Sequence, residues 1–326
     1  MKHLERALNG QNQIWKYIVL FLVAFFGGQL LGSIPLQIVI LSKTVLSGNF
    51  GNITPQNAMN FSAFGLSNNL ALALVLLSFV TIFFAFALLV KPFHKRTLMD
   101  TVNARKRLRV NRIWMGILVW GGLLIVSLIF SLLTAEEGEI VFQLNLAKFI
   151  PLLLIVLILI PFQTSVEEIL FRGYLAQGVA ARTRSRWWAL IIPTVLFGLM
   201  HSFNPEVKEF GFWITMPQYI LMGALLGIVT ILDDGLELAL GIHFINNAFA
   251  ALFTTHASSA LQTDAMFLIN NVDPVASLIE VIVLCVVAFF VLQRIYKWNL
   301  GIMNKKVEIE TPPVPDQLFV ESPITE

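Results

Sequence analysis

Long apolar segments constrain this chain more than any other feature of its sequence. One of them, FIPLLLIVLILIPF, runs from Phe149 to Phe162 without a charged residue. A helix needs roughly 20 mostly apolar residues to cross the hydrocarbon core of a bilayer. With that window we predict eight spans, at residues 14–41, 68–90, 113–135, 149–171, 187–203, 213–232, 238–255 and 275–293. The predicted fold class is all-α, a polytopic membrane helical bundle of about eight transmembrane helices.

The composition agrees with a membrane protein and excludes some partners. Hydrophobic residues make up 57% of the 326 residues, charged residues only 13%, and the mean hydropathy is +0.77. Soluble domains carry about 25% charged residues. A net charge of +2 gives no reason to expect nucleic acid, and the single cysteine, Cys285, excludes an intrachain disulfide. Bilayer lipids are the expected partners, and the oligomeric state is left open.

The distribution of basic residues predicts the orientation in the membrane. All but three of the 22 Lys and Arg residues fall on one side of the predicted spans. The three exceptions are Lys43, Lys148 and Lys208. The positive-inside rule then places both termini in the cytoplasm, which agrees with an even number of spans. The basic loop 91–112 is expected to lie on anionic lipid headgroups.

Ionisable residues are rare in the predicted spans, and their cost there makes each one a candidate for function. Glu168 and Arg172 are four residues apart, so a helix puts them on one face as an ion pair. We expect this helix to continue past Arg172 towards Arg182, which would bury the arginine. Glu167 points about 100° away. It is a candidate general base, or alternatively a second member of the ion pair or an acid at the helix end.

Two further apolar segments carry polar candidates. His201 ends the stretch FGLMH, one turn after Phe197, and could be a site residue or an interfacial packing residue. His243 and Asn247 in GIHFINNAFA share one helix face and could donate hydrogen bonds to a common point. The alternative is that they form hydrogen bonds between helices.

Other polar residues are predicted to have no chemical role. The stretch DDG at Asp233, Asp234 and Gly235 is typical of a turn between two spans. His3, His94 and His256 fall in tails and loops, and we expect them to be solvated.

Three motifs in this order resemble the CPBP family of intramembrane proteases. EEILFR fits EExxxR, FGLMH fits FxxxH, and HFINN fits HxxxN, within residues 145–260. The family includes the type II CAAX prenyl endopeptidases and bacteriocin-processing and immunity relatives. The resemblance implies that Glu167 and His201 activate water, and that His243 and Asn247 stabilise the oxyanion. Glu168 and Arg172 would support the site.

The resemblance also divides the chain into predicted regions. Residues 1–135 would form an N-terminal three-span region and 136–260 a CPBP-like catalytic core. Residues 261–300 would contain the last transmembrane helix, and 301–326 a disordered cytoplasmic tail that is acidic and rich in proline.

The cofactor is left open between none and a divalent metal such as zinc. Glu167, His201 and His243 offer a His2Glu ligand set with a free fourth position. The zinc-protease motif HExxH is not present in the sequence. The family implies either a metalloprotease or a glutamate protease, and we favour the metal-free reaction.

Three functions compete at this point. The first is an intramembrane endopeptidase that cleaves a membrane-associated or lipid-linked peptide or protein, in a bacterial plasma membrane. The second is a non-catalytic scaffold or immunity factor with the same fold. The third is a proton-coupled transporter, in which Glu167 and His201 would relay protons. The identity of the substrate does not follow from the sequence.

Overall fold

Eight apolar helices form the bundle in the part of the chain that the structure describes. The computed structural model describes residues 2–54, 60–105, 107–260 and 262–308. The helices are α1 (Ile14–Ser47), α2 (Asn68–His94), α3 (Val110–Thr134), α4 (Leu146–Thr183), α5 (Arg186–Met200), α6 (Phe212–Asp233), α7 (Glu237–Phe253) and α8 (Pro274–Tyr296). Six are long and apolar enough to cross a membrane, whereas α5 and α7 are shorter. The prediction of an all-α polytopic bundle is confirmed, and the orientation stays a prediction.

Helix α4 is the longest and lies at the centre, against α2, α5, α6 and α7. The prediction that it continues past Arg172 is confirmed, since it ends at Thr183. Between Ile169 and Leu175 it widens into a π-helix, a local change that often accompanies functional sites. The sequence analysis did not predict this widening.

Glycines bring α3 and α7 into close contact. A methyl group added at Gly241 of α7 would collide with the backbone of Ile113 in α3, and one at Gly116 would meet the backbone of Leu238. Small residues at such crossings let membrane helices approach closely. This contact fixes α7, which carries His243, against α3.

A small sheet at one end of the bundle was not predicted. Its strands are β1 (Ile140–Phe142), β2 (Thr254–Thr255) and β3 (Phe267–Ile269), in the order β1-β3-β2. Strand β3 pairs antiparallel with β1, with Val141 opposite Leu268, and parallel with β2. Strands of two or three residues are too short to show the alternation that identifies a strand in sequence.

At the other end, short segments from both ends of the chain pack beneath the bundle. They are the 3₁₀ helices Leu4–Asn9 and Leu300–Asn304, and the short α-helix Leu98–Val102 from the loop between α2 and α3 packs there with them. The prediction that residues 301–326 are a disordered tail is wrong for its first part, because Val307 is buried and its N–H donates to the Arg184 carbonyl at 2.9 Å. The rest of the tail, 309–326, lies outside the described residues.

The prediction of solvated histidines is wrong for His3 and His94, which are both buried. His94 bridges the carbonyl of Gln11 at 2.6 Å and the hydroxyl of Tyr174 at 2.7 Å. His3 Nε2 lies 3.4 Å from the carbonyl oxygen of Arg172. His256 is partly buried. The N-terminal segment folds back onto the bundle, and this long-range contact removes the histidines from solvent.

The basic loop also differs from the expectation that it rests on headgroups. Arg109 is buried and forms ion pairs with Asp233 at 2.9 Å and Glu237 at 2.5 Å. Arg112 adds a contact to Asp233 at 3.2 Å. The predicted turn after α6 is present, with Asp234 in the left-handed conformation at φ 63°. This cluster ties the loop to the α6–α7 turn.

Candidate active site

Four helices place the predicted site residues in one region of the bundle. Glu167 and Glu168 end the regular part of α4, directly before its π-helical turns. His243 and Asn247 lie on α7, and His201 follows the last residue of α5. Helix α6 completes the region with Tyr219 and Gly223. The structure therefore brings together side chains that are up to 80 residues apart in sequence.

Glu168 links two helices through one carboxylate oxygen. Its Oε1 accepts a hydrogen bond from Arg172 at 2.9 Å and another from His243 Nδ1 at 2.7 Å. The side chain is fully buried, so both charge-assisted bonds lie away from water. The sequence predicted the pair with Arg172 but not the contact with His243. That contact fixes the imidazole and directs Nε2 away from Glu168.

Arg172 joins α4 to its neighbours α5 and α6. Its Nη2 donates to the Gly223 carbonyl at 3.3 Å, and its guanidinium carbon lies 4.0 Å from the centre of the Phe197 ring. The side chain is almost completely buried, as predicted. A planar guanidinium can donate a hydrogen bond and stack on a ring at the same time, whereas the ammonium group of lysine is a compact point charge.

Glu167 faces His243 from the other side. Its Oε2 lies 3.5 Å from His243 Nε2, and its Oε1 accepts from Gln163 Nε2 at 3.4 Å. Only 8% of the residue is exposed. Among the residues that the structure describes, no lysine or arginine lies within 4.0 Å of this carboxylate, in contrast to Glu168. The geometry separates the two adjacent glutamates, as their positions around the helix predicted.

Gln163 is a member of the site that the sequence analysis missed. Its Oε1 accepts from Asn247 Nδ2 at 3.3 Å, while its Nε2 donates to Glu167. Asn247 Nδ2 is also 3.4 Å from His243 Nε2. The sequence does contain one indication of this role, because Gln163 is a lone amide in an apolar helix, one turn before Glu167.

His201 is held by backbone and aromatic contacts. Its Nδ1 lies 2.8 Å from the Phe197 carbonyl and donates to it, so Nε2 is left as the acceptor. The ring stacks on Tyr219 with centroids 4.4 Å apart and an interplanar angle of 22°. Glu167 and His243 both interact electrostatically with this imidazole. Phe197 touches both histidines, with centroids 4.7 Å from His201 and 6.0 Å from His243.

The ligand set proposed for zinc was tested against this geometry. Within the described ranges, no three His, Cys, Asp or Glu side chains form a group that could hold a metal ion. His243 uses Nδ1 to contact Glu168, and its Nε2 faces Glu167 Oε2 at 3.5 Å. The residues in this arrangement do not fit a bound zinc ion, so the mechanism below uses the side chains alone.

A family comparison covers the same part of the chain. Residues 146–249 match the model of the family described as type II CAAX prenyl endopeptidase Rce1-like. The matched segment runs from α4 into α7 and contains Glu167, Glu168, Arg172, His201, His243 and Asn247. The resemblance inferred from the three motifs is confirmed. This chain is an integral membrane protein whose segment 146–249 matches the Rce1-like family model.

One curated relative extends the similarity beyond that segment. It is the "Uncharacterized protein YyaK" of Bacillus subtilis (strain 168), 29% identical over 262 residues. The alignment covers 79% of this chain and 84% of YyaK. No solved structure matches the chain. The family supports a CAAX-type protease in general, and the roles of individual residues rest on the geometry.

Proposed function

We propose that this protein is an intramembrane endopeptidase that hydrolyses a peptide bond in a membrane-associated or lipid-linked peptide or protein. The observation that carries the proposal is the buried Glu167 carboxylate, 3.5 Å from His243 Nε2, with Glu168 holding the other imidazole nitrogen at 2.7 Å. The Rce1-like segment supports protease chemistry in general. Similarity to a Bacillus subtilis protein supports a bacterial plasma membrane as the location.

Glu167 acts as the general base in this proposal. It takes a proton from a water molecule, and the resulting hydroxide attacks the scissile carbonyl carbon. The Nε2 of His201, free because Nδ1 donates to Phe197, accepts a hydrogen bond from the same water and orients it. When the C–N bond breaks, Glu167 returns the proton to the amine nitrogen. The products are a carboxylate and an amine.

His243 and Asn247 stabilise the oxyanion that forms on the carbonyl oxygen. Asn247 offers its Nδ2–H, which in the free protein donates to Gln163 at 3.3 Å. His243 has its Nδ1–H engaged with Glu168, so donation from Nε2 requires the doubly protonated ring. Removal of one such donor in other hydrolases costs about 100- to 1,000-fold in rate.

The test is a cleavage assay on a panel of lipid-linked peptides in detergent or nanodiscs. Wild type is compared with Glu167→Ala and His201→Ala, and Gln37→Ala, an exposed amide on α1, serves as the control. We expect wild type and the control to cleave at the same site, and both site variants to lose at least about 100-fold in rate. Cleavage by Glu167→Ala at the wild-type rate would contradict the proposal. A wild-type protein that binds peptides but cleaves none would favour the scaffold alternative.

A further inference from the structure

A large groove opens between α3 and α8, away from the side chains described above. The two helices share an apolar cluster around Trp120 and Ala288. Beyond this cluster the two helices separate, and a cavity of about 930 Å³ lies between them. Its walls are residues 123–135, at the end of α3, and residues 273–287, at the start of α8. Ile140 of β1 and Ile269 of β3 form its end wall. Exposed apolar side chains of both helices, among them Val126 and Val283, line the groove, so it opens on a face that the bundle presents to lipid.

Glu280 is the unusual residue in this groove. It lies in the second turn of α8, about 9 Å along the helix from Pro274, between the exposed apolar residues Ile279 and Val283. The hydroxyl of Ser127 donates to its carboxylate. In the described part of the chain, no Lys, Arg or His lies within 4.0 Å of it. A carboxylate inside a membrane span is costly and normally faces a partner.

The charges around the groove all have the same sign. Glu139, Asp273 and Glu280 line it, and its described lining contains no lysine or arginine. Burial lowers the pKa of His256, the remaining ionisable residue of the lining, below its ordinary value. The imidazole is therefore neutral at neutral pH. An apolar groove with a net negative charge favours an apolar ligand that carries a positive group.

A second, smaller cavity shares Ser127 and Glu280 with the groove and extends from it to Asn246 of α7. This cavity of about 200 Å³ is lined by Ser127 and Glu280 on one side and by Asn246 and Phe249 of α7 on the other. Asn246 Nδ2 donates to Asn247 Oδ1 at 3.1 Å. The groove therefore ends next to a residue that we assign to the oxyanion site.

One side of the site, beneath Arg172, is covered by the N-terminal segment. The segment Leu4–Asn9 packs beneath the bundle, where the ring of His3 contacts the Arg172 carbonyl and Glu5 pairs with Arg186 at 2.9 Å. Leu4, Glu5 and Ala7 are buried there.

We propose that this groove binds the substrate, and that Glu280 selects an apolar peptide segment that carries a lysine, an arginine or a free amino group. The apolar walls hold the hydrophobic part of the segment, and the cation pairs with the Glu280 carboxylate as the peptide moves past Asn246 towards Asn247. Lipid chains could fill the apolar volume but would leave this carboxylate unpaired. The proposal rests on the proposed peptidase function and adds the substrate class.

Binding is measured first, without cleavage. The probes are two leucine-rich membrane-spanning peptides of about 20 residues, identical except for one lysine or one glutamine near the outer end. Three proteins are compared in nanodiscs of phosphatidylcholine. One carries Glu167→Ala, the second carries Glu167→Ala with Glu280→Gln, and the third carries Glu167→Ala with the control Glu137→Gln, an exposed acid outside the groove. We expect the lysine peptide to bind about 10-fold tighter than the glutamine peptide, except with Glu280→Gln, where the preference disappears.

Equal binding of the two peptides, or a preference that survives Glu280→Gln, would overturn the proposal. So would loss of the lysine preference on addition of phosphatidylethanolamine, because a lipid amine would then occupy the groove. Cleavage by the enzyme with an intact Glu167 is measured separately, as the ratio of kcat/KM for the two peptides. A lysine preference in binding without any cleavage would contradict the peptidase proposal and leave the binding site in place.

Discussion

Two buried charge clusters in the described part of the bundle differ in how completely their acids are matched by arginines. At the α6–α7 turn, Asp233 and Glu237 both pair with Arg109, and Asp233 also contacts Arg112. In the candidate active site, Glu168 pairs with Arg172, whereas no lysine or arginine among the described residues lies within 4.0 Å of Glu167, whose ion-pair partner is His243 at 3.5 Å. A balanced cluster has every charge committed to the fold. In an unbalanced cluster, one carboxylate has no arginine partner and is available to accept a proton.

The comparison predicts the largest stability effect at the balanced cluster. Glu237→Gln removes the partner that lies 2.5 Å from Arg109 and leaves that guanidinium with Asp233 alone. Removal of one member of a buried pair costs about 3–5 kcal/mol in the free energy of unfolding. Thermal unfolding in detergent measures the loss, with Glu137→Gln as the exposed-acid control. A melting temperature equal to that of the control would contradict a structural role for this cluster.

The next effect is expected on catalysis. Asn247→Ala removes the amide donor that we assign to the oxyanion, so the cleavage rate should fall about 100- to 1,000-fold. The melting temperature should change little, because the lost bonds, to Gln163 at 3.3 Å and from Asn246 at 3.1 Å, join neutral amides. Gln37→Ala on α1 controls for loss of an amide elsewhere. An unchanged kcat would remove Asn247 from the mechanism.

Arg172→Lys should give an intermediate result, because this residue belongs to the fold and also supports the site. A lysine keeps the charge near Glu168 but loses the contacts with Gly223 and the Phe197 ring. We expect a loss of about 1–3 kcal/mol in unfolding free energy. The cleavage rate should fall with it, since Glu168 also positions His243. A drop in stability with full kcat would show that Arg172 has no influence on the imidazole.

Metal removal should have the smallest effect. The side chains do not form a metal-holding group in the described part of the chain, so we expect protein treated with chelator to keep its cleavage rate within about 2-fold. Activity is measured before and after dialysis, with metal content checked by mass spectrometry. Loss of activity that zinc alone restores would assign the reaction to a metalloprotease.

The sequence predicted the parts of this molecule that depend on local pattern. Apolar length identified all eight helices, and the spacing of Glu168 and Arg172 identified their ion pair. Local pattern did not predict contacts between residues that are far apart in the sequence. The bond between Glu168 and His243 joins residues 75 apart, and the burial of His3 depends on how the N-terminal segment folds back. Gln163 was missed because its role appears only when Glu167 and Asn247 are seen on either side of it.

The central claim is that the Glu167 carboxylate is a base and not a structural anion. Glu167→Gln keeps the shape and the contact with Gln163 but removes the negative charge, and it can be measured for cleavage and thermal unfolding in the same preparation. We predict a loss of about 100- to 10,000-fold in kcat together with a melting temperature close to that of wild type. A variant that unfolds earlier yet still cleaves at the wild-type rate would contradict the claim.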